Sequence, residues 1–152
     1  MTRKRAILMR AAPGAGKSTL ARQLAGRLGG TVYSADALMM AGDLYVWSTS
    51  LVQAAHTACV RLVRDAARRG VPVIIVDNTN IKVGQALPYY RVLRDQGYEV
   101  AVREPDNPWS RDADGLIARC THAIPPETVV NMLAAWNGLP ADRFLRHLEE
   151  HS

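Results

Sequence analysis

Short apolar runs and helical stripes alternate along nearly the whole chain. Ala6-Ile7-Leu8-Met9 reads as a first strand, and a helix follows from about Ser18, with Leu20, Leu24 and Leu28 stacked four apart on one face. Gly29-Gly30 ends it, and Thr31-Val32-Tyr33 makes a short second strand that runs out into Ser34-Ala35-Asp36. The spacing then predicts a long helix from Ser50 to Arg69, with Leu51, Ala55, Leu62 and Ala66 on its inner face and Gly70 closing it. Val73-Ile74-Ile75-Val76 is the most apolar run, as expected of a strand buried on both faces near the centre of a sheet. A further helix covers roughly Val83 to Gln96, with a bend or restart expected at Pro88, and Tyr98 to Val102 is the last clear strand. Glu104 to Trp109 holds two prolines and reads as a loop, and helices are expected over Asp112–Cys120, Pro126–Trp136 and Asp142–Glu149. Strand and helix in regular alternation predict an α/β fold, a parallel sheet of four to five strands between helical layers. With 152 residues and no repeat or linker, the chain reads as one domain over 1–152.

Composition changes this picture little. The apolar share, 48%, and the charged share, 22%, are those of ordinary globular proteins and argue against a disordered chain. Lys and Arg exceed Asp and Glu by 19 to 14, a net +5, which favours an anionic partner such as nucleotide or nucleic acid. Two cysteines, Cys59 and Cys120, with no C-x-x-C pair, exclude a disulfide framework or a cysteine-rich zinc site, and two buried free thiols are expected. The apolar run after Met1-Thr2-Arg3-Lys4-Arg5 is too short for a signal peptide or a membrane span, so a cytoplasmic protein with no membrane partner is expected.

The sharpest chemical signal lies between the first strand and the first helix. In Ala11-Ala12-Pro13-Gly14-Ala15-Gly16-Lys17-Ser18-Thr19 the glycines let the backbone curl around a phosphate with no Cβ in the way, and a helix N-terminus stands behind it. Pro13 to Thr19 is therefore the expected nucleotide-binding segment; Lys17 would reach the β and γ phosphates of ATP, and the Ser18 hydroxyl would ligate Mg²⁺. Such a loop identifies a nucleotide and not a reaction.

Phosphoryl transfer to an alcohol also needs a carboxylate at the incoming hydroxyl and positive charge over the migrating group. Asp36, just past the second strand, should open onto the same crevice as Lys17, where it would orient an acceptor hydroxyl and take its proton; capping a helix over 37–40 is its alternative role. Asp77, at the end of the buried strand, is placed to hold Mg²⁺ through water or to bond Ser18. Arg119, after all the strands, suits a lid over about 110–126 that closes on the phosphates, with Arg111 and Arg103 as substitutes.

Taken together, the blocks Pro13–Thr19, Ser34–Asp36, Ala55–Cys59, Pro72–Asn80, Gly97–Val100, Glu104–Trp109 and Ala118–Glu127 resemble, in order, the polynucleotide 5′-hydroxyl kinase family and its relatives, the kinase-like P-loop (AAA-type ATP-binding) domains. The resemblance implies a three-layer P-loop kinase fold with a helical lid, Lys17 and Ser18 as the ATP-binding pair, Asp36 as general base and Arg119 as the lid arginine. It implies transfer of the γ-phosphate of ATP to the 5′ hydroxyl of a DNA or RNA strand. Three positions depart from the family pattern: Ala11 replaces the opening glycine, Ala37-Leu38-Met39 carries no arginine for the acceptor strand's next phosphate, and His122 or Ala123 stands where a second lid arginine belongs. The alternatives are a kinase of a small alcohol, a nucleoside or a modified base, and a non-catalytic nucleotide-binding subunit.

Other motifs carry less. Asp112-Ala113-Asp114-Gly115 imitates a calcium loop or a phosphatase start without the required companions, and reads as a helix cap. His56 and Cys59, one turn apart, are expected in the core or at a cleft rather than on a metal, and Trp109, Tyr45 and Trp47 are expected to pack rather than to stack on a base. Arg61, Arg64, Arg68 and Arg69 give the long helix a basic face that either follows a nucleic-acid backbone or is simply solvated.

Overall fold

The structure is a computed structural model that describes residues 3–38, 40–41, 44–45, 49–120 and 124–152. Four parallel strands form the sheet: β1 (Arg5–Met9), β2 (Thr31–Tyr33), β5 (Val73–Val76) and β6 (Glu99–Arg103), in the order β2-β5-β1-β6. A two-stranded hairpin, β3 (Met40–Ala41) with β4 (Leu44–Tyr45), lies apart from this sheet. The helices are α1 (Lys17–Leu28), α2 (Ala35–Leu38), α3 (Thr49–Arg68), α4 (Val83–Asp95), α5 (Ala113–Arg119), α6 (Pro126–Gly138) and α7 (Ala141–His151). None of the described helices is long and apolar enough to cross a membrane.

Strand order follows from burial. β5 is buried at every position and β1 at all but its first, and these two occupy the centre, whereas β6 at the edge alternates exposed and half-buried residues. The register sets Leu8 beside Val76 on one flank and Val102 on the other, and Tyr33 beside Val76. Residues just past Met9, Tyr33 and Val76 therefore emerge side by side at the carboxyl edge, where α/β sheets bind ligands.

One core layer is formed by α3, α4 and α7 against the sheet, with Leu8, Ile74, Val63, Leu93 and Phe144 wholly buried. On the opposite face α1 lays Ala21 and Leu24 against Met9 and Ile75. α1 ends as expected at Gly29, which takes the left-handed backbone (φ 68°) and donates its N–H to the Ala25 carbonyl.

One expectation about the long helix changes. Its buried stripe is Ala55, Cys59, Val63, Ala66 and Ala67, while Leu51 and Leu62 are nearly half exposed. At about 100° per residue, steps of four and three from Ala55 keep one face against the sheet, and Leu62 falls one position off that face. This phase turns His56 toward the cleft. α4 runs unbroken through Pro88, with no restart. Of the two free thiols, Cys59 is buried but Cys120 only partly so.

Candidate active site

The loop from Met9 to Lys17 turns over the carboxyl end of β1. Gly14 and Gly16 both have left-handed φ, 85° and 97°, which a side chain would strain. Gly16 is the N-cap of α1, and no side chain caps the helix and no acidic residue sits in its first turn. Among the described residues the backbone N–H groups of Gly16, Lys17, Ser18 and Thr19 have no partner in the protein, and the first bond of the helix is Leu20 N–H to the Gly16 carbonyl, 3.1 Å. Four unpaired donors and the positive end of a helix dipole make a ready anion site. Ala11, in place of the usual opening glycine, is wholly buried and donates its N–H to Thr79 O, so its methyl group packs rather than obstructs.

A strut beneath the loop holds it in this shape. Asn107 Nδ2 and Ser110 Oγ both donate to the Ala15 carbonyl, at 3.0 and 2.8 Å, and Trp109 Nε1 donates to the Gly14 carbonyl at 3.0 Å. Ser110 Oγ in turn accepts the Asn107 N–H at 2.9 Å, which closes the turn on itself. A trans peptide is planar, with C=O and N–H on opposite sides. Fixing the Ala15 carbonyl downward therefore aims the Gly16 N–H upward. A Cβ on Gly16 would come 2.5 Å from Asn107 Nδ2, so strut and glycine fit only together. Asn107 and Trp109 fall within the resembling block Glu104–Trp109 and Ser110 just after it, but no spacing in the sequence marks a role under the loop for any of the three.

The block Asp77 to Asn80 ties every neighbour to this edge. Asp77 Oδ1 accepts from Lys17 Nζ at 2.8 Å in an ion pair buried to more than nine-tenths on both sides. Asn78 Oδ1 accepts the Ala35 N–H at 2.8 Å and thereby fixes the start of α2. Asn80, with left-handed φ of 48°, donates through Nδ2 to the Met9 carbonyl at 2.9 Å. Asp36 lies in the first turn of α2, which begins one residue earlier, so it is not the cap of the helix.

Asp36, Lys17, Ser18 and Arg119 line one cleft of about 530 Å³ together with Pro13, Gly14, Gly16, Thr19, Asn78 and Thr79. Ala15 is buried beneath it, and Asp77 reaches it through Lys17. Arg119 is exposed at the end of α5, its guanidinium 3.8 Å from the centre of the Trp109 ring. The substitutes proposed for it lie elsewhere. Arg111 stacks on Trp136 at 3.4 Å and bonds Asn137, and Arg103 is an exposed residue at the end of β6. The second lid position, His122 or Ala123, together with Met39 and Trp47, lies outside the described residues. Asp112 caps α5, its Oδ2 accepting the Gly115 N–H at 2.9 Å.

His56, expected in the core or at a cleft, lines the cleft beside Asp36. Its Nδ1 is 3.0 Å from the Tyr89 hydroxyl. Burial holds the imidazole below its ordinary pKa, partly opposed by the Asp36 carboxylate, so it stays neutral at pH 7. Burial likewise raises Cys59 and Tyr89. The three form an uncharged, hydrogen-bonded wall behind Asp36, and no cluster of metal-binding side chains among the described residues includes His56 or Cys59.

This geometry has counterparts. The sequence profile of a family described as an AAA domain matches residues 7–137. The chain belongs to that family. The human protein NEDD4-binding protein 2 is 30% identical over 128 residues, which is 84% of this chain but only 7% of that much longer protein. Among solved structures, a chain of the Pnkp1/Rnl/Hen1 RNA repair complex superposes with a TM-score of 0.60 at 20% identity, covering 91% of this chain and 45% of that one. A gluconokinase from Sinorhizobium meliloti gives 0.56 at 18% identity, covering 89% and 76% of the two chains. Shikimate kinase from Acinetobacter baumannii gives 0.59 at 17%, covering 97% and 81%. At such identities the likeness is one of fold, and the fold is that of P-loop kinases, as the order of motifs implied.

Proposed function

We propose that this chain transfers the γ-phosphoryl group of ATP to the 5′ hydroxyl of a DNA or RNA strand, working as one kinase unit with a lid over about 110–126. The observation that carries the reading is the meeting of Lys17, Ser18, Asp36 and Arg119 around one cleft at the carboxyl edge of the sheet.

The chemistry follows from the residues. The free N–H groups from Gly16 to Thr19 receive the phosphates, and Lys17 leaves Asp77 to reach the β and γ groups. Asp36 accepts the proton of the incoming hydroxyl as its oxygen bonds the γ-phosphorus; the bond from that phosphorus to the β–γ bridging oxygen breaks and ADP departs. Arg119 swings from the Trp109 ring to the migrating phosphoryl group. Ser18 and Asp77 supply hard oxygen donors of the kind Mg²⁺ takes, Asp77 through water, and the ion would draw charge from the phosphate oxygens.

A polynucleotide acceptor is supported by the family resemblance of the blocks quoted above and by the likeness to a chain of an RNA repair complex. A small-alcohol acceptor is the second reading, favoured by the apolar wall that Val52, Ile124 and Met132 present to the cleft. Incubation with γ-labelled ATP and a 5′-hydroxyl oligonucleotide separates the two. Wild-type protein should label the strand, Lys17→Ala should not, and Asp36→Asn should lose about 10²- to 10⁴-fold in rate. A wild-type protein that labels no strand across a range of salt and divalent metal refutes the polynucleotide reading.

A further inference from the structure

The seam between α3 and α4 is a groove that opens from the cleft. His56 and Gln85 line both the cleft and the groove's first stretch, where Arg61 and Arg64 stand. Arg64 and Pro88 continue into a second stretch, which Arg68 and Arg91 border. Arg61, Arg64 and Arg68 are spaced by three and four residues on one face of α3. Among the described residues none of these three has a hydrogen bond, an ion pair or a ring contact, so their charge holds nothing in the protein itself. Arg91 donates to the His151 carbonyl, 2.8 Å. A single carboxylate, Asp95, lines the groove, at its far end.

We propose that this groove carries the sugar-phosphate backbone of a single-stranded nucleic acid whose 5′ hydroxyl lies at Asp36, with successive phosphates passing Arg61, Arg64 and Arg68. The proposal rests on the polynucleotide reading above and gives that acceptor its path and polarity: 5′ end in the cleft, 3′ end leaving toward the C-terminus of α3. Length decides against a small acceptor here. From His56 to Arg68 is twelve residues, or about 18 Å along the helix, well beyond the reach of a sugar or nucleoside seated at Asp36. The path also answers a gap in the sequence, because Ala37 and Leu38 on α2 offer the strand no cation, whereas the neighbouring helix presents three. Unpaired guanidinium groups in a row suit phosphate oxygens, and with no base-reading group required the grip is independent of sequence.

The test compares wild type with Arg61→Gln/Arg64→Gln/Arg68→Gln, using ATP, Mg²⁺ and 5′-hydroxyl oligonucleotides from dinucleotide to octanucleotide. For wild type KM should fall as the strand lengthens; for the triple variant it should stay near the dinucleotide value, with kcat on the dinucleotide and affinity for ATP unchanged. At about 0.7 per neutralised phosphate on a single strand, losing three contacts should lower the slope of log Kd against log salt for the octanucleotide by about 2. Neutral methylphosphonate linkages beyond the first should raise KM for wild type and leave the variant unmoved. If both proteins label the strand with equal KM and equal salt slope at every length, the groove is refuted and the acceptor reading stands. If wild type labels no strand of any length, the acceptor reading fails and the groove with it.

Discussion

The peptide between Ala15 and Gly16 is where the anion site is most open to a quantitative test. Its carbonyl is held by two donors, Asn107 Nδ2 at 3.0 Å and Ser110 Oγ at 2.8 Å, and its N–H on the opposite side is one of the four unpaired donors at the head of α1. Asn107→Ala leaves Ser110 in place, so the carbonyl stays satisfied and the loss is one net hydrogen bond, about 1 kcal/mol, or about five-fold in ATP affinity. Ser110→Ala leaves Asn107 Nδ2 on the carbonyl but strands the Asn107 N–H. The double variant strips the carbonyl. A buried carbonyl without a donor costs about 1–3 kcal/mol, and the peptide plane is then free to turn toward water and carry the Gly16 N–H out of the site. ATP must restore that plane when it binds, so the double variant should bind about thirty-fold to a hundred-fold more weakly than wild type, beyond the product of two single effects of about five-fold each. Titration calorimetry with ATP and no acceptor reads this directly, and a thermal melt of each variant separates loop disorder from loss of fold. A double variant within two-fold of wild type, or one whose loss equals the product of the singles, would show that the strut does not set the loop.

Two further perturbations probe the frame around the site. Arg10 is wholly buried, donates to the carbonyls of Asn80, Ile81 and Leu139, pairs with Glu104 at 3.1 Å and lies 4.3 Å from the centre of the Phe144 ring. Arg10→Met strands those carbonyls and leaves Glu104, which also accepts from Trp136 Nε1, without its closest cation. Breaking a buried pair from one side costs about 3–5 kcal/mol, which at about 2–4 °C per kcal/mol for a protein of this size lowers Tm by about 6–20 °C; a fall under 2 °C would contradict the packing described. For His56 the sign comes from burial. The unfolded imidazole takes a proton near pH 6.5 and the folded one resists it, so the unfolded state binds more protons just below that pH and stability declines as pH falls through the window. Tm between about pH 7.5 and 5.5 should therefore drop more steeply for wild type than for His56→Gln, and parallel curves would refute the assignment.

The outline of the fold was legible because its signals are local and repeated. β5 is apolar at four successive positions, α1 has a stripe and a glycine stop, and the glycine loop between β1 and α1 needs only its own residues to be read. Sequence spacing alone misplaces the phase of α3 because leucines lie on both sides of its buried stripe, and only packing against the sheet selects Cys59 and Val63 over Leu51 and Leu62. Lys17, Ser18 and Asp36 were named from motif and position, and the structure brings them to one cleft because β1, β2 and β5 end level. The strut and the Arg10 network were not legible in this way. Asn107 meets Ala15, and Arg10 meets Leu139, across separations of about a hundred residues that no spacing rule encodes.

Trp109 joins the two halves of the proposed machinery. One edge of its indole holds the Gly14 carbonyl, while its face carries the Arg119 guanidinium. The glycine loop and the proposed lid therefore share one side chain, and Arg119 lines the cleft on a support that the loop itself fixes. An exposed cation–π contact is worth about 0.5–1 kcal/mol, whereas a bidentate bond to a phosphate is charge-assisted and roughly twice the strength of a neutral hydrogen bond. On the proposed mechanism, that balance would favour the ring before the nucleotide binds and the phosphate afterwards, so nucleotide binding would draw Arg119 across. Trp109→Phe keeps an aromatic face but loses the indole N–H with its five-membered ring, and Trp109→Leu loses the aromatic face as well. Weaker ATP binding in each, with a further loss of kcat confined to Trp109→Leu, would follow from that division; the same kcat in both variants would separate the lid from the ring.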